Sequence, residues 1–509
     1  MTPARPTSEL RAATTGLTED QGMNTPCRVA AGPSPESRVP SPDIRGRRLG
    51  AVLASALTLA ACNVGPEYVR PDAELPPRFD QAVESVNPPA AVMSEVWSAF
   101  KEPELDALID QALKANTQIA QALARLDETR ALAGLSFFSL MPTVTADSGV
   151  QRNKPSNKDP FIPPDVGTTD TYRLGFDATW EIDLFGSLRR QSEAIYREVD
   201  ARAAALDAVR LSVVAETAQA YFELRGTQAQ LAVQERNLAN LQENLDILRK
   251  QLEAGRGTEL DVTRANALGL SVAAQVPQTR AAVSAQEQRL AVLTAQPVAR
   301  LRAQLAPHKD LPALPAMVAV GTPTEWLARR PDIREADRLL AAEVSRIGVE
   351  TAEFYPKLTL TGAFGVTAQS FGKLGSEAQR WNYGPGLSWS FLDFGRVRQR
   401  VRAQRAVADG AVARYQETWL TALEETENAL AGFRAWNESC AALDLAVSES
   451  RKSAGLARLR YDAGASDYLA VLDAERSLLD LEDQYAQAQT HRATALAAVY
   501  KALAGDFAR

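Results

Sequence analysis

Few side chains in this sequence are of the types that catalyse reactions. Its 509 residues include two histidines, His308 and His491, which lie far apart in the chain. The sequence has no Gly-rich phosphate-binding loop, and no His, Cys and carboxylate residues share metal-ligand spacing. Carboxylates are plentiful, but they lie in charged helical segments where such groups usually face solvent. The sequence therefore predicts neither an enzyme nor a site for a cofactor or metal.

One cysteine lies in a modification motif. The apolar run Leu49–Ala61, 13 residues long, follows three arginines and ends in LAAC. It is too short to span a bilayer and is typical of a secretory signal. The small residues before Cys62 resemble a bacterial lipoprotein signal, which predicts cleavage between Ala61 and Cys62 and acylation of Cys62. An ordinary secretory signal is the alternative, and Asn63 favours outer-membrane sorting by analogy.

The net charge and the cysteine count exclude further classes of protein. Cleavage before Cys62 would leave a net charge of −9, since seven of 56 basic and five of 63 acidic residues precede it. An acidic chain argues against a nucleic-acid partner. Cys440 would have no disulfide partner and is predicted to be a core thiol. No other apolar run could form a transmembrane helix, so a membrane crossing would have to use strands.

The sequence contains an internal repeat. WEIDLFG at 180–186 returns as WSFLDFG at 389–395, 209 residues later. Each copy reads as helix, strand, loop, strand, long helix, turn and helix. We expect a removed segment at 1–61, a lipidated segment at 62–96, copies at 97–296 and 325–505, an equatorial connector at 297–324 and a tail at 506–509.

Each copy has two segments in which apolar and polar residues alternate. They predict strands over 142–153, 171–183, 357–369 and 381–393. A sheet with one buried face is one interpretation, and a membrane wall is the other. In a wall, the interfacial aromatic girdle would comprise Tyr172, Trp180, Tyr383 and Trp389. A barrel takes about eight or more strands, so two or three protomers must contribute.

The strands lead into long helices. Residues 187–253 and 396–463 contain no proline and predict helices of about 100 Å at ~1.5 Å per residue. Gly186 and Gly395 are predicted to form the joints between strand and helix. Leucines spaced by seven predict a coiled-coil seam at Leu224, Leu231, Leu238, Leu245 and Leu252. A sheet extended by such helices fits a duct that crosses a membrane and then an aqueous compartment.

Turns are predicted at the far ends of the long helices. Gly255 and Gly464 suit helix C-cap positions. Thr258, and either Ser466 or Asp467, suit the N-caps of the returning helices.

Three segments resemble the signatures of TolC-like outer-membrane efflux factors, closest to the lipid-anchored branch with NodT-type lipoproteins. They are NVGPEYVRPDAELP at 63–76, WSAFKEPELDALIDQALKANTQI at 97–119 and GTPTEWLARRPDI at 321–333. The resemblance implies a mainly α homotrimer with a twelve-stranded membrane barrel, a periplasmic helical barrel and a mixed α/β equatorial belt. It also implies an outer-membrane location and docking with a periplasmic adaptor and a proton-driven inner-membrane transporter.

The resemblance also places an aperture at the helix ends opposite the sheet. The leucine, aspartate and arginine of the family's aperture correspond to Leu469, Asp473 and Arg476. In the first copy, Asp261 and Arg264 are the candidates. A ring of Asp473 side chains would favour cations, and pairing with Arg476 would restrain opening. A solvated helix face with a weak i,i+3 ion pair is the alternative.

Three functions fit these expectations. They are an exit duct of a tripartite efflux pump for small molecules, a duct for secreted protein in a type I system, and a passive porin or structural coiled coil. The lipoprotein signal and the Arg-Arg-Pro-Asp-Ile segment at 329–333 favour the first. Helices of about 100 Å argue against a porin.

Overall fold

The structure is a computed structural model that describes most of residues 63–503. The described residues are 63–80 except 73–75, and 100–503 except 157, 159, 162, 164–165, 307–308, 310, 313, 315–321 and 325–328. The cleavage and acylation predicted at Ala61 and Cys62 lie outside this part, as does His308.

The described chain is mostly helical. The helices are α1 Pro103–Ala115, α2 Thr117–Phe138, α3 Ser187–Glu253, α4 Glu259–Thr294, α5 Val298–Leu305, α6 Pro331–Ala352, α7 Phe394–Asp462 and α8 Tyr468–Leu503. The strands are β1 Thr143–Asn153, β2 Thr169–Ile182, β3 Lys357–Ala368 and β4 Gln379–Ser388. Among the described helices, none has an apolar stretch long enough to cross a bilayer.

The four strands form one open antiparallel sheet in chain order. The pairing of β2 with β3 joins the two sequence copies, and β1 and β4 are the edges. The prediction that β4 extends to 393 is wrong. The strand ends at Ser388 because the chain then turns, with Asp393 N donating to Ser390 O at 2.9 Å.

Two helices extend far beyond the sheet. α3 has 67 residues and α7 has 69, so each is about 100 Å long at ~1.5 Å per residue. α3 packs against α2 near the sheet, where Leu126 meets Leu206. It packs against α4 at the far end, where Leu248 meets Ala265. α6 and α8 flank α7 in the same way.

The largest apolar core surrounds the midpoints of the long helices. Short helices α1 and α5 bury leucines there against Tyr221 and Phe222 of α3, with residues of α7 and α8 on the other side. Arg225 is fully buried within this core, and its Nη2 donates to Glu104 at 2.6 Å. All described strands belong to the sheet, so the described part of the expected α/β belt is helical.

The predicted leucine seam is only partly correct. Leu224 and Leu245 are buried, but Leu231, Leu238 and Leu252 are half-buried. Between them the contact with α8 is polar, because amides of α3 donate to carboxylates of that helix. The bonds are Gln230 to Asp483 at 2.8 Å, Gln234 to Asp483 at 3.1 Å and Asn237 to Glu482 at 3.3 Å. Spacing along one helix carries no information about these partners.

Cys440 lies on α7 with 3% of its surface exposed, as predicted for a core thiol. Burial raises the pKa of this thiol above its ordinary value. The side chain therefore stays protonated at neutral pH and packs as a small apolar group.

Gly226 allows α3 and α8 to approach closely, which generates a stability prediction. A Cβ at this position would lie 1.9 Å from Thr490 Oγ1 and 2.7 Å from Thr490 Cβ. Gly226→Ala should destabilise the chain by about 1–3 kcal/mol through overpacking and lower its apparent melting temperature in detergent. In the control Gly432→Ala, the added Cβ meets nothing within 4 Å, so stability should stay equal or rise. Equal effects of the two substitutions would contradict the close contact.

Candidate functional site

One face of the sheet exposes large apolar side chains along its height. Phe176, Phe364 and Trp381 form one row across three strands and are 58%, 55% and 69% exposed. The same face exposes Val144, Val150, Leu174, Leu360, Tyr383 and Leu387. Soluble monomers rarely expose contiguous apolar patches larger than a few hundred Å². This face therefore requires an apolar environment.

The opposite face is mostly polar. Most of its residues are threonines, glycines and charged or amide side chains, including Thr145, Asp147, Arg173, Asp177, Thr361, Arg380 and Asn382. A sheet with one apolar and one polar face is suited to contact lipid on one side and water on the other. The contrast between the faces is the main chemical feature of the sheet.

The predicted girdle residues lie at different heights. Trp180 Nε1 donates to Leu140 O at 2.9 Å, and Trp389 Nε1 donates to Phe354 O at 3.1 Å, both at the helical end of the sheet. Trp389 follows β4 and is not part of it. Tyr172 lies eight residues from Trp180 along β2, about 27 Å at ~3.4 Å per residue.

Tyr383 lies further from the helical end of the sheet than Trp180 in the strand register. It pairs with Gly362, two residues further into the sheet than the pair formed by Leu360 and Pro385. Leu360 in turn pairs with Trp180, and the place of Tyr383 in a girdle stays a prediction.

The two predicted joints are built differently. Gly186 precedes α3 with φ 82°, and a Cβ there would lie 2.2 Å from Asn63 Oδ1. Asp183 completes this joint by accepting a hydrogen bond from Arg189 N at 2.9 Å. The prediction for Gly395 is wrong, because α7 already begins at Phe394 and Gly395 has no positive φ. The turn before α7 makes the change of direction instead.

The turns at the far end confirm the predicted glycine caps. Gly255 and Gly464 have φ values of +69° and +68°. Arg256 N donates to Gln251 O, and Ala465 N to Arg460 O, both at 2.8 Å. These bonds satisfy carbonyls that the helix ends would otherwise leave free.

The returning helices are capped as predicted, and one aperture candidate takes part. Thr258 accepts a hydrogen bond from Asp261 N at 3.2 Å and donates to the Asp261 carboxylate at 2.6 Å. Asp467, and not Ser466, caps α8 by accepting from Ala470 N at 3.4 Å. Asp261 is therefore engaged in a cap in this chain.

The other aperture candidates share one crevice. It has a volume of about 560 Å³, lies between α4 and α8, and is lined by Arg264, Leu469, Asp473 and Arg476 among others. Asp473 and Arg476 are exposed, and within the described residues neither forms an ion pair. The predicted intrahelical pair is thus not formed in a single chain, and both charges face the crevice.

A polar network that sequence reasoning missed holds α8 behind this crevice. Asn244 of α3 donates to Glu475 of α8 at 3.2 Å and accepts from Arg458 of α7 at 3.1 Å. Burial raises the pKa of the Glu475 carboxyl, and it raises the pKa of Tyr468 to about 12. No sequence signal could have grouped residues from three helices.

The N-terminal segment also makes contacts that were not predicted. It begins beside Gly186, where Arg190 Nε donates to Val64 O at 3.2 Å. Tyr68 then donates to Asp337 of α6 at 2.5 Å, and burial raises the pKa of the Tyr68 hydroxyl. Arg70 donates to the Tyr415 hydroxyl of α7 at 3.2 Å. The segment therefore runs along both helices away from the sheet.

Comparison with known proteins is consistent with this geometry. A family model described as outer membrane efflux protein matches residues 108–296 and 322–505. The outer-membrane channel OprN is 37% identical and superposes with a TM-score of 0.82 over 88% of this chain and 100% of its own. Outer membrane protein OprJ of Pseudomonas aeruginosa is 31% identical, covering 89% of this chain and 95% of its own. Nodulation protein T of Rhizobium leguminosarum bv. trifolii is 29% identical, covering 83% and 90%.

The cap of α4 generates a prediction for the far-end turn. Thr258→Val keeps the side-chain shape but removes the capping oxygen, at a cost of about 0.5–2 kcal/mol of helix stability. The first turn of α4 should fray, and trypsin should cleave faster after Arg256 in the preceding turn. The control is Thr263→Val, whose hydroxyl donates only to Glu259 O within the helix. Equal cleavage rates in the two variants would show that the cap does not order the turn.

Proposed function

This chain belongs to the outer membrane efflux protein family, and from that membership we propose that it is the exit duct of a tripartite efflux pump. It conducts small molecules passively from the periplasmic side to the exterior. The observation that carries the proposal is the sheet, with one apolar and one polar face, continued directly by helices of about 100 Å. A porin would need only the sheet, and a structural coiled coil would need only the helices.

The duct is a homotrimer. The single chain leaves the edges of β1 and β4 open, and antiparallel order allows β4 of one copy to pair with β1 of the next. Three copies of four strands close a twelve-stranded barrel, and three pairs of long helices continue it as a helical barrel. Closure removes the open edges, which a membrane does not tolerate.

The chain divides into the segments expected from its sequence. The removed signal is 1–61, the lipidated segment is 62–96, the two copies are 97–296 and 325–505, the equatorial connector is 297–324, and 506–509 is a tail. The acylated residue is Cys62. Asn63 supports this assignment, since it contacts Gly186 at the base of the sheet, where a lipid anchor would meet the membrane boundary.

The periplasmic aperture lies at the ends of α4 and α8. Leu469, Asp473 and Arg476 surround it, with Arg264 opposite them across the crevice. Asp261 contributes indirectly, by capping α4. In a trimer the Asp473 carboxylates form an acidic ring that favours cations.

The duct has no reaction to catalyse and needs no cofactor. A periplasmic adaptor docks on its helices, and an inner-membrane transporter driven by protons supplies the energy. The exposed far ends of the helices support this assembly, because charged surfaces of this kind can pair with a partner protein.

Drug accumulation in a deletion strain tests the function. Loss of the gene should raise intracellular accumulation of exported small molecules, and the intact gene should restore efflux. Phe176→Arg should fail to restore it, because an arginine at mid-height of the lipid face costs about 2–4 kcal/mol. Thr179→Arg, on the polar face of the same strand, should be accepted in the membrane. Normal accumulation of a broad panel of compounds in the deletion strain would exclude drug export and leave protein secretion as the alternative.

The aperture is tested by single-channel recording. Asp473→Ala should raise conductance in planar bilayers and reduce cation selectivity, since it removes the acidic ring. Glu449→Ala removes an exposed carboxylate on α7 that pairs with Lys452, away from the crevice, and should change neither value. Unchanged currents for Asp473→Ala would remove this residue from the gate.

A further inference from the structure

A single covered row crosses the polar face of the sheet at mid-height. Asp147 pairs with Gly175, Gly175 with Gly365, and Gly365 with Arg380. Gly175 and Gly365 are the only buried residues of the four described strands. Two buried glycines in an otherwise accessible sheet mean that a side chain from the same face lies over them.

That side chain is Arg380. Its Nη2 lies 3.5 Å from the position that a Cβ on Gly175 would occupy. To reach this point it crosses Gly365 and spans two strand spacings of about 4.8 Å each. The backbones of β2 and β3 also lie close together at this row, since a Cβ on Gly365 would lie 2.5 Å from Leu174 O. The guanidinium therefore lies flat on the sheet and does not project away from it.

Two carboxylates border this guanidinium. Asp147 ends the row, and Asp177 is the next residue on the same face of β2. Asp177 hydrogen-bonds to Asp147 and interacts electrostatically with Arg380 and Arg173. Arg380 Nε and Asp147 Oδ1 have no hydrogen-bond partner among the described residues. The guanidinium thus lies near a hydrogen-bonded pair of carboxyls, is attracted to them at longer range, and remains able to interact with a passing solute.

We propose that this row is a charge filter in the barrel lumen and that Arg380 is its specificity-determining residue. The inference rests on the proposed function, in which the polar face lines the duct. The two arginines offset the negative charge of the hydrogen-bonded carboxyl pair at this level of each copy, while the flat guanidinium leaves the bore free. Small organic ions of either sign can then pass. Without Arg380, every copy would lose a positive charge at this level, and the ring would become more favourable to cations.

Reversal potentials in planar bilayers test the filter. The full-length protein is measured in a KCl gradient with Asp473→Ala as common background, so that the aperture does not dominate selectivity. Arg380→Gln should raise the permeability ratio of K⁺ to Cl⁻ several-fold, and the double variant Asp147→Asn with Asp177→Asn should shift it toward Cl⁻. Arg380→Lys keeps the charge and should leave the ratio close to that of the background. Arg152→Gln is the matched control, since Arg152 lies on the apolar face beside Asp170 at 3.6 Å.

The outcomes separate this proposal from the one on which it rests. A conducting Arg380→Gln channel with an unchanged ratio would overturn the filter and leave the duct intact. If Arg380→Gln leaves the permeability ratio unchanged and also lowers the melting temperature, the role of Arg380 is only to stabilise the strand pairing. A background protein that forms no channels at all would count against the duct itself and remove the filter with it. A raised ratio in Arg380→Gln that the lysine variant restores supports the filter.

Discussion

The structure depends on one constraint, which is that backbone N–H and C=O groups cannot remain unpaired in hydrocarbon. Each unsatisfied group costs several kcal/mol there, so a sheet that crosses a membrane must have no free edge. The chain supplies four strands with an apolar face and leaves the outer edges of β1 and β4 unpaired. One chain therefore cannot satisfy its own backbone in a membrane, and the proposed assembly of identical copies around an axis would pair these edges.

The helices reflect a different balance of forces beyond the sheet. Their stability is concentrated in the apolar core at mid-length, where α1 and α5 cover the long helices and Arg225 is buried with its partners. Between this core and the apolar cluster of Leu248 with Val471 and Leu472 near the far end, amides of α3 donate to carboxylates of α8. Each of these hydrogen bonds to a charged group contributes about 1.5–3 kcal/mol net. A polar stretch of contact thus joins two apolar clusters along the long helix.

The two sequence copies are similar but not interchangeable. Their tryptophans donate to equivalent carbonyls, at Leu140 and Phe354, and their far turns have the same glycine caps. The two joints between the sheet and the long helices differ. The chain has a single N-terminal segment, and it packs against the first joint, where Asn63 fills the space next to Gly186. The second joint carries no such segment, and α7 starts there without a left-handed residue.

The sequence by itself determined the features that depend on near neighbours. Alternation located all four strands within a few residues, proline-free stretches located the long helices, and Gly255, Gly464 and Thr258 marked the turns. These are local consequences of periodicity and of φ and capping preferences. The aperture predicted at Arg264, Leu469, Asp473 and Arg476 came only from a family resemblance and stays a prediction, although these residues line one crevice.

Only the tertiary structure decided which distant residues meet. The polar seam joins Gln234 to Asp483, and the network behind the crevice joins Asn244 to Glu475, both across more than 200 residues of sequence. The row under Arg380 exists because strand register places two glycines between it and Asp147. Pattern along one segment fixes which face a residue occupies. Its partner is fixed by the register and packing of segments far away in the chain, and no local preference encodes that choice.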